Sequence, residues 1–361
     1  MKNKINSLQV GSLLFMVGLA PFMGIAIFVL LQTTGIDAYL IVLIGGILGY
    51  GFVLCYYTIA HYEPDLSLPE KMVKLYGKKL GFIFNGILII SFMIMAISII
   101  YNLSNFIISQ FLSETPPIVI GIVFTILVAH LASKGIETLT RTSFLLFIIT
   151  LLFLFLTILG LYPTVEFDNL KPFLEHGISR PLKGSFYYLI LDAIPLITLL
   201  MIPKNTIVDK EKLKKVTTLF YIFMILISFL VIFFTLGSLG IHLASFYQYP
   251  EYVVLKRISF FDFLDRIENV VTAQWIFYLF IALSYLIYSI THCIHFKNKG
   301  KILPFIVSFI VLFLSLVLFK NNTTFNTYSL KWNPLIRIPL ILLIIITVVT
   351  IKFKNKLTLL E

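Results

Sequence analysis

The sequence predicts an all-α integral membrane protein of ten transmembrane helices, with both ends in the cytoplasm. Three observations carry this expectation. Hydrophobic residues make up 59% of the 361-residue chain and charged residues only 12%, with a mean hydropathy of +0.99. A soluble domain carries roughly 25% charged residues, so half that share leaves most of the surface to lipid. The apolar residues gather in runs near the roughly 20 residues that cross a hydrocarbon core. The basic residues, which give a net charge of +11, cluster in the gaps between those runs rather than in one patch. That distribution follows membrane topology and argues against a nucleic-acid partner.

The first five spans are predicted at 8–31, 39–60, 81–110, 117–132 and 143–161, and the second five at 184–201, 217–240, 270–296, 302–319 and 334–351. The N-terminus imitates a signal peptide, with Lys2 and Lys4 before an apolar run and Ala20. That run continues to Leu31, longer than a signal core of roughly 7–15 residues, so it is read as the first span. With the N-terminus inside, nineteen of the 28 Lys and Arg residues fall in inside segments and nine outside, Lys256, Arg257 and Arg337 among the nine. The bias sets the orientation and favours an even number of spans.

The connections carry further expectations. Inside, 66–80 reads as an amphipathic segment resting its lysines on the headgroups. Outside, 162–183 contains Asn169-Leu-Lys-Pro-Phe173, and 241–269 alternates aromatic and charged residues like a helix lying on the surface. The segment 320–333 reads as a polar loop with Asn-x-Thr sequences at Asn321 and Asn322. Cys55 and Cys293 lie far apart, without metal-ligand spacing, and read as buried apolar residues. His130, His292 and His295 sit near predicted helix ends, where they favour the helix dipole. Trp275, Tyr278, Tyr285 and Tyr288 read as packing and interfacial aromatics. No Walker A, HExxH, GxSxG or zinc spacing is present. No catalytic residue, metal or cofactor is expected.

Two helices are irregular. The first contains Gly18-Leu19-Ala20-Pro21-Phe22-Met23-Gly24 at mid-membrane depth, and the sixth contains Leu191-Asp192-Ala193-Ile194-Pro195. Proline removes a backbone donor and clashes with the preceding turn. Either proline alone fits a simple kink in a packed helix. Their matching positions, each in the opening helix of a five-helix half, fit an inverted repeat with broken helices 1 and 6 around a midplane site. The chain is then one permease-like domain with halves at about 8–161 and 184–351. Asp192 is the only acid placed well inside a predicted span. A charge there costs roughly 2.5–3.5 kcal/mol on insertion scales. Asp192 is therefore expected to accept a ligand amine, bind a coupling proton or pair with a polar neighbour. Tyr187 and Tyr188 lie one turn before it, and Tyr101, Asn102, Ser104 and Asn105 supply polar groups from the third helix.

The chain resembles the endospore germination permeases, the B subunits of Ger-type nutrient germinant receptors, related to amino acid/polyamine/organocation transporters. The stretch that carries most of the resemblance runs from Tyr249-Pro250 to Trp275, through Ser259, Asp262, Phe263, Arg266 and Glu268. Ser7-Leu8-Gln9, Gly35-Ile36-Asp37-Ala38-Tyr39, Gly135-Ile136-Glu137 with Arg141, and Leu170-Lys171-Pro172 support it. Tyr39 stands where the family often has Trp, and Leu191-Asp192 where it usually has Gly-Glu. The resemblance implies a LeuT-like 5+5 fold in the inner membrane of a bacterial spore. It implies a small germinant, an amino acid, as ligand, and an A-type membrane subunit and a C-type lipoprotein as partners. On this reading the amino acid lies between helices 1, 3, 6 and 8. Gly18, Leu19, Ala20, Pro21, Phe22 and Gly24 face its carboxylate, while Tyr101, Tyr187, Tyr188, Asp192 and Pro195 complete the site. The rival expectation is a proton- or Na⁺-coupled amino acid permease, and a third is a membrane scaffold whose ligand binds another subunit.

Overall fold

A computed structural model of the chain describes residues 4–172, 174, 177–258, 267–294 and 301–357. These residues are helical almost throughout, and the one β-bridge among them joins Ile5 to Ile207. Seven helices among the described residues are long and apolar enough to cross a membrane, and two shorter apolar helices lie at Pro117–Ser133 and Leu303–Leu318. One of the seven, Ser7–His61, covers the first two predicted spans. Together these helices overlap every predicted apolar stretch. Large apolar side chains such as Ile47, Phe82, Ile90, Leu145 and Phe313 point outward. Such a surface suits lipid, where only backbone bonded within its own helix is stable.

The first stretch comprises α1 (Ser7–Pro21), a π-turn (Phe22–Ala26) and α2 (Ile27–Thr34). Asn6 starts α1 with a capping box: its side chain accepts from the Gln9 amide at 2.8 Å, and Gln9 Oε1 accepts from the Asn6 amide at 3.0 Å. Residues from Val10 to Ala26 are buried on every side, as expected of a helix that is apolar all round. A 3₁₀ turn (Gly35–Asp37) leads into α3 (Ala38–His61). Next come α4 (Leu68–Gln110), α5 (Pro117–Ser133) and α6 (Ile136–Leu161). The sixth stretch comprises α7 (Ser179–Tyr188), a π-turn (Leu189–Ala193) and a 3₁₀ segment (Ile194–Met201). The remaining helices are α8 (Leu213–Phe246), α9 (Pro250–Leu255), α10 (Ile267–Ile294), α11 (Leu303–Leu318), α12 (Asn322–Thr327) and α13 (Asn333–Leu357). Helix α1 is the axis of the bundle and packs against α6, α8 and α10.

Several connections differ from their sequence reading. Gly77, at φ +77° and ψ 173°, bends α4 and separates Leu68–Tyr76 from the spanning part. Lys71 in that first part does not reach for headgroups. It is buried, and its Nζ donates to the Ile59 and Ala60 carbonyls at 2.9 and 3.2 Å, capping the end of α3. The segment 249–258 turns inward, and Tyr249, Glu251 and Tyr252 are all buried. The loop expected at 320–333 is helical: Asn321 caps α12, and the π-turn Tyr328–Trp332 joins it to α13. Asn169, from the connection between α6 and α7, donates through Nδ2 to the Gly237 carbonyl at 2.9 Å, while Asp37 Oδ1 accepts from the Leu174 amide at 2.8 Å. Trp275, Tyr278, Tyr285 and Tyr288 are buried, as packing aromatics are, and Cys293 is buried while Cys55 is only half-buried. Ser259, Asp262, Phe263, Arg266 and His295 lie outside the described residues.

A pair of ties closes the face that carries the N-terminus. Ile5 accepts from the Val208 amide at 2.9 Å and donates to the Thr206 carbonyl at 3.1 Å. Asp209 accepts from the Ser7 amide at 2.7 Å and from the Ser7 hydroxyl at 2.6 Å. The start of α1 is thereby fastened to the segment that follows the sixth stretch.

Candidate functional site

The interruption of the first helix falls at Met23 and Gly24, two residues past Pro21. Pro21 has no N–H, so the Val17 carbonyl loses its i+4 donor. The next amide, Phe22, turns to the Leu19 carbonyl instead. Met23 is then extended (φ −71°, ψ 122°) and Gly24 is left-handed (φ +76°, ψ −14°). No other residue fits at Gly24: a Cβ there would lie 2.5 Å from Trp275 Cζ2 and 2.8 Å from Asn102 Nδ2. Asn102 Nδ2 donates to the Met23 carbonyl at 3.3 Å, which satisfies one group released by the break.

The sixth stretch changes winding without unwinding. It passes from α through π to 3₁₀ across Asp192 and Pro195, and Tyr188, Ala193 and Ile194 all keep right-handed helical dihedrals. Tyrosines from neighbouring helices bond its carbonyls: Tyr56 donates to Ala193 and Ile194 at 3.1 and 3.2 Å, and Tyr285 to Thr198 at 2.7 Å. The two irregular segments touch, with Phe22 and Tyr188 in edge-to-face contact at 6.1 Å.

Beside them lies a narrow cavity of about 20 Å³, space for about one water. Pro21 and Ile25 from the first stretch, Leu191 and Pro195 from the sixth, Ser98 from α4 and Leu286 from α10 contribute to its wall. The fifth side is α13, which presents Asn333 and Arg337. Arg337, counted among the outside residues from the sequence, is only 4% exposed. Its Nε donates to Asn333 Oδ1 at 3.1 Å, and its Nη1 has no partner. Tyr328 OH accepts from Ser98 Oγ at 3.2 Å and lies 3.5 Å from Asn333 Oδ1, extending a polar strip along this wall.

The expected site residues divide into groups. Pro21 and Pro195 line the cavity together. Gly18 faces α8, packed against Met224, and Leu19, Ala20 and Phe22 are fully buried in the bundle. Asp192 does not line the cavity. It is 0% exposed, neither carboxyl oxygen has a hydrogen-bond partner, and its electrostatic neighbours are Tyr188 and Tyr221. Tyr188 packs on Gly45, and Tyr221 OH donates to the Gly46 carbonyl at 2.9 Å, so this group lies toward α3. Tyr187 points elsewhere, donating to the Leu330 carbonyl at 3.4 Å. Tyr101, one turn beyond Ser98 on α4, is half-buried and faces away, bonded to Asn322 at 3.1 Å and packed on Phe319 and Phe325.

Sequence reasoning missed a buried acid beside the helix-1 break. Glu251 of α9 is 5% exposed, and neither of its carboxyl oxygens has a hydrogen-bond partner. It shares a cavity with Met23, Gln274 and Trp275, and the Gly24 amide faces its carboxyl. Gln274 Oε1, Trp275 Nε1 and Asn102 Oδ1 are unpartnered too. Burial pushes the Glu251 carboxyl up to about 8, and the backbone amides of Glu251 and Gly24 only partly oppose that shift. The signal was in the sequence: Glu251 directly follows Tyr249-Pro250 in the stretch that carries the resemblance. Its assignment to a surface helix hid it.

An all-helical chain with seven helices, among the described residues, long and apolar enough to cross a membrane is consistent with an integral membrane protein. The chain is a member of the spore germination protein family of spore permeases, which it matches over residues 4–324. It is 22% identical over 280 residues to spore germination protein XB of Bacillus anthracis, covering 75% of this chain and 76% of that one. It is 26% identical over 236 residues to spore germination protein KB of Bacillus subtilis (strain 168), covering 65% and 63% of the two chains. A putative spore germination protein of the same organism, YfkT, is 30% identical over 194 residues, covering 52% and 51%.

Proposed function

We propose that this protein is the B-type, nutrient-binding subunit of a spore germinant receptor, with a small amino acid as its ligand. The observation that carries the reading is the cavity that Pro21 and Pro195 line together, where the two irregular stretches meet α4, α10 and α13. The family membership supports a role in germination. On this reading the apolar stretches are ten spans in two inverted halves of five, at about 8–161 and 184–351. The protein resides in the spore inner membrane with both termini in the cytoplasm, and an A-type membrane subunit and a C-type lipoprotein relay its occupancy. The ligand binds a wider arrangement of these helices, in which the one-water cavity has opened, and shifts their balance by that difference in affinity.

Filling the cavity tests the reading. Ala282 lies on its α10 wall, fully buried. Spores carrying Ala282→Phe, with normal protein levels, are expected to lose germination on amino acids while still germinating on a stimulus that bypasses nutrient receptors. Unchanged amino acid response would overturn the assignment of the cavity.

One observation favours the rival reading, a proton-coupled amino acid permease: a buried acid, Glu251, beside the helix-1 break, whose carboxyl burial holds well above the usual carboxylate range. Uptake of labelled amino acids by the purified chain in proteoliposomes, driven by a pH gradient, would establish transport. No uptake leaves the receptor reading in place.

A further inference from the structure

We propose that Arg337 is the carboxylate anchor of the central cavity and that the ligand it holds is a zwitterionic amino acid with an apolar side chain. This rests on the reading of the cavity as the nutrient site. Arg337 stands deep in the helical run Asn322–Lys354, not at its outer end. Its guanidinium is charged at every accessible pH. Burying such a charge is costly unless it is paired. Yet among the described residues no acidic side chain comes within ion-pairing distance of it. Only the neutral Asn333 bonds its Nε, and Nη1 is left unbonded. A buried cation without a counter-ion, on a cavity wall, is complementary to an anion that arrives from outside the chain. The planar fork of the guanidinium matches a carboxylate in two parallel hydrogen bonds.

The facing walls select the rest of the ligand. Pro21 and Pro195 have no N–H, so neither Val17 nor Leu191 receives the usual i+4 bond on its carbonyl. All four residues line this cavity. Carbonyls without that donor attract an ammonium group. Met95, Ile99 and Leu286 make the remaining wall apolar, which suits a hydrocarbon side chain and disfavours a second charge. A guanidinium from α13 and, among the other lining residues, two whose carbonyls lack the usual donor match the charge pattern of a free α-amino acid.

The test uses the purified full-length chain in detergent, with L-alanine, L-valine and L-leucine as probes, each beside its C-terminal amide. The readout is the rise in thermal midpoint, which follows ligand binding by mass action. At least one acid is expected to raise the midpoint of the native chain, while its amide, which keeps the ammonium but lacks the carboxylate, leaves it unmoved. Arg337→Lys should keep a reduced rise and Arg337→Gln should lose it. An amide as effective as its acid would overturn the anchor without touching the cavity reading. That comparison needs no variant, so it stands even if Arg337→Gln fails to fold. An undiminished rise in a folded Arg337→Gln chain would also overturn the anchor. A native chain stabilised by no acid and no amide would overturn the amino acid reading itself.

Discussion

Replacing Gly24 with alanine tests whether the helix-1 break is enforced by packing. Two costs meet at this position. Gly24 sits at φ +76°, where an L-residue is strained by about 1–2 kcal/mol. The new methyl would also lie 2.5 Å from Trp275 Cζ2 and 2.8 Å from Asn102 Nδ2, closer than any van der Waals contact. Overfilling a packed site costs about 1–3 kcal/mol more, so the expected loss is about 2–5 kcal/mol. Gly77→Ala is the control. Its φ is +77°, yet nothing lies within 4 Å of its added methyl, so only backbone strain applies. Thermal denaturation of the purified chains should rank Gly24→Ala below Gly77→Ala. Trp275→Phe removes the atom nearest the methyl, and in that background Gly24→Ala should cost about 1 kcal/mol less, as contacting positions couple. A Gly24→Ala chain no less stable than Gly77→Ala, and indifferent to Trp275→Phe, would refute the packing argument.

Two further predictions concern the ends of the bundle. The folded chain holds a proton on Glu251 up to about pH 8, whereas the unfolded carboxyl releases it near 4.5, so stability falls as pH rises from about 4.5 to about 8. Glu251→Gln should flatten that slope in thermal midpoints measured between pH 5 and 8.5, and an unaltered slope would place the titrating group elsewhere. Asp209→Ala removes both acceptors from Ser7, charge-assisted bonds worth about 1.5–3 kcal/mol each. It should speed tryptic cleavage after Lys4 several-fold, and an unchanged cleavage rate would show that the tie does not hold the N-terminus.

The helical stretches were legible because long apolar runs have one stable form in lipid. The irregularities at Pro21 and Pro195 were legible because proline's missing donor acts locally. The position of the break was not. It falls at Gly24, where the approach of Asn102 and Trp275 comes from distant parts of the chain. The charges of the site were misread for a related reason. Hydropathy places a charged residue outside when it lies near the end of an apolar run, and so Arg337, near the start of the predicted span 334–351, was counted with the outside residues. The polar sequence from Asn322 to Trp332 is in fact helical and continues into α13, which moves Arg337 into the bundle. Glu251 was misplaced because alternating charge and aromatic residues also describe a segment folded back over a helix break. Tyr101 and Tyr187 share helices with cavity-lining residues but face other neighbours, a matter of helix rotation that spacing alone does not fix.

The two ties at the start of α1 have a mechanical consequence. Ile5 bonds the backbone around Ile207, and Ser7 bonds Asp209, so the first and sixth stretches share one footing. Their far portions enclose the cavity, and their near ends cannot part without breaking four hydrogen bonds. A tilt of either helix about the cavity must therefore carry the segment 202–212 with it, as a pedal follows its crank. That segment carries Lys204, Lys210 and Lys212, and it is exposed at Lys210, Glu211 and Lys212. A neighbouring subunit resting on it would sense whether the cavity is filled without ever approaching the ligand.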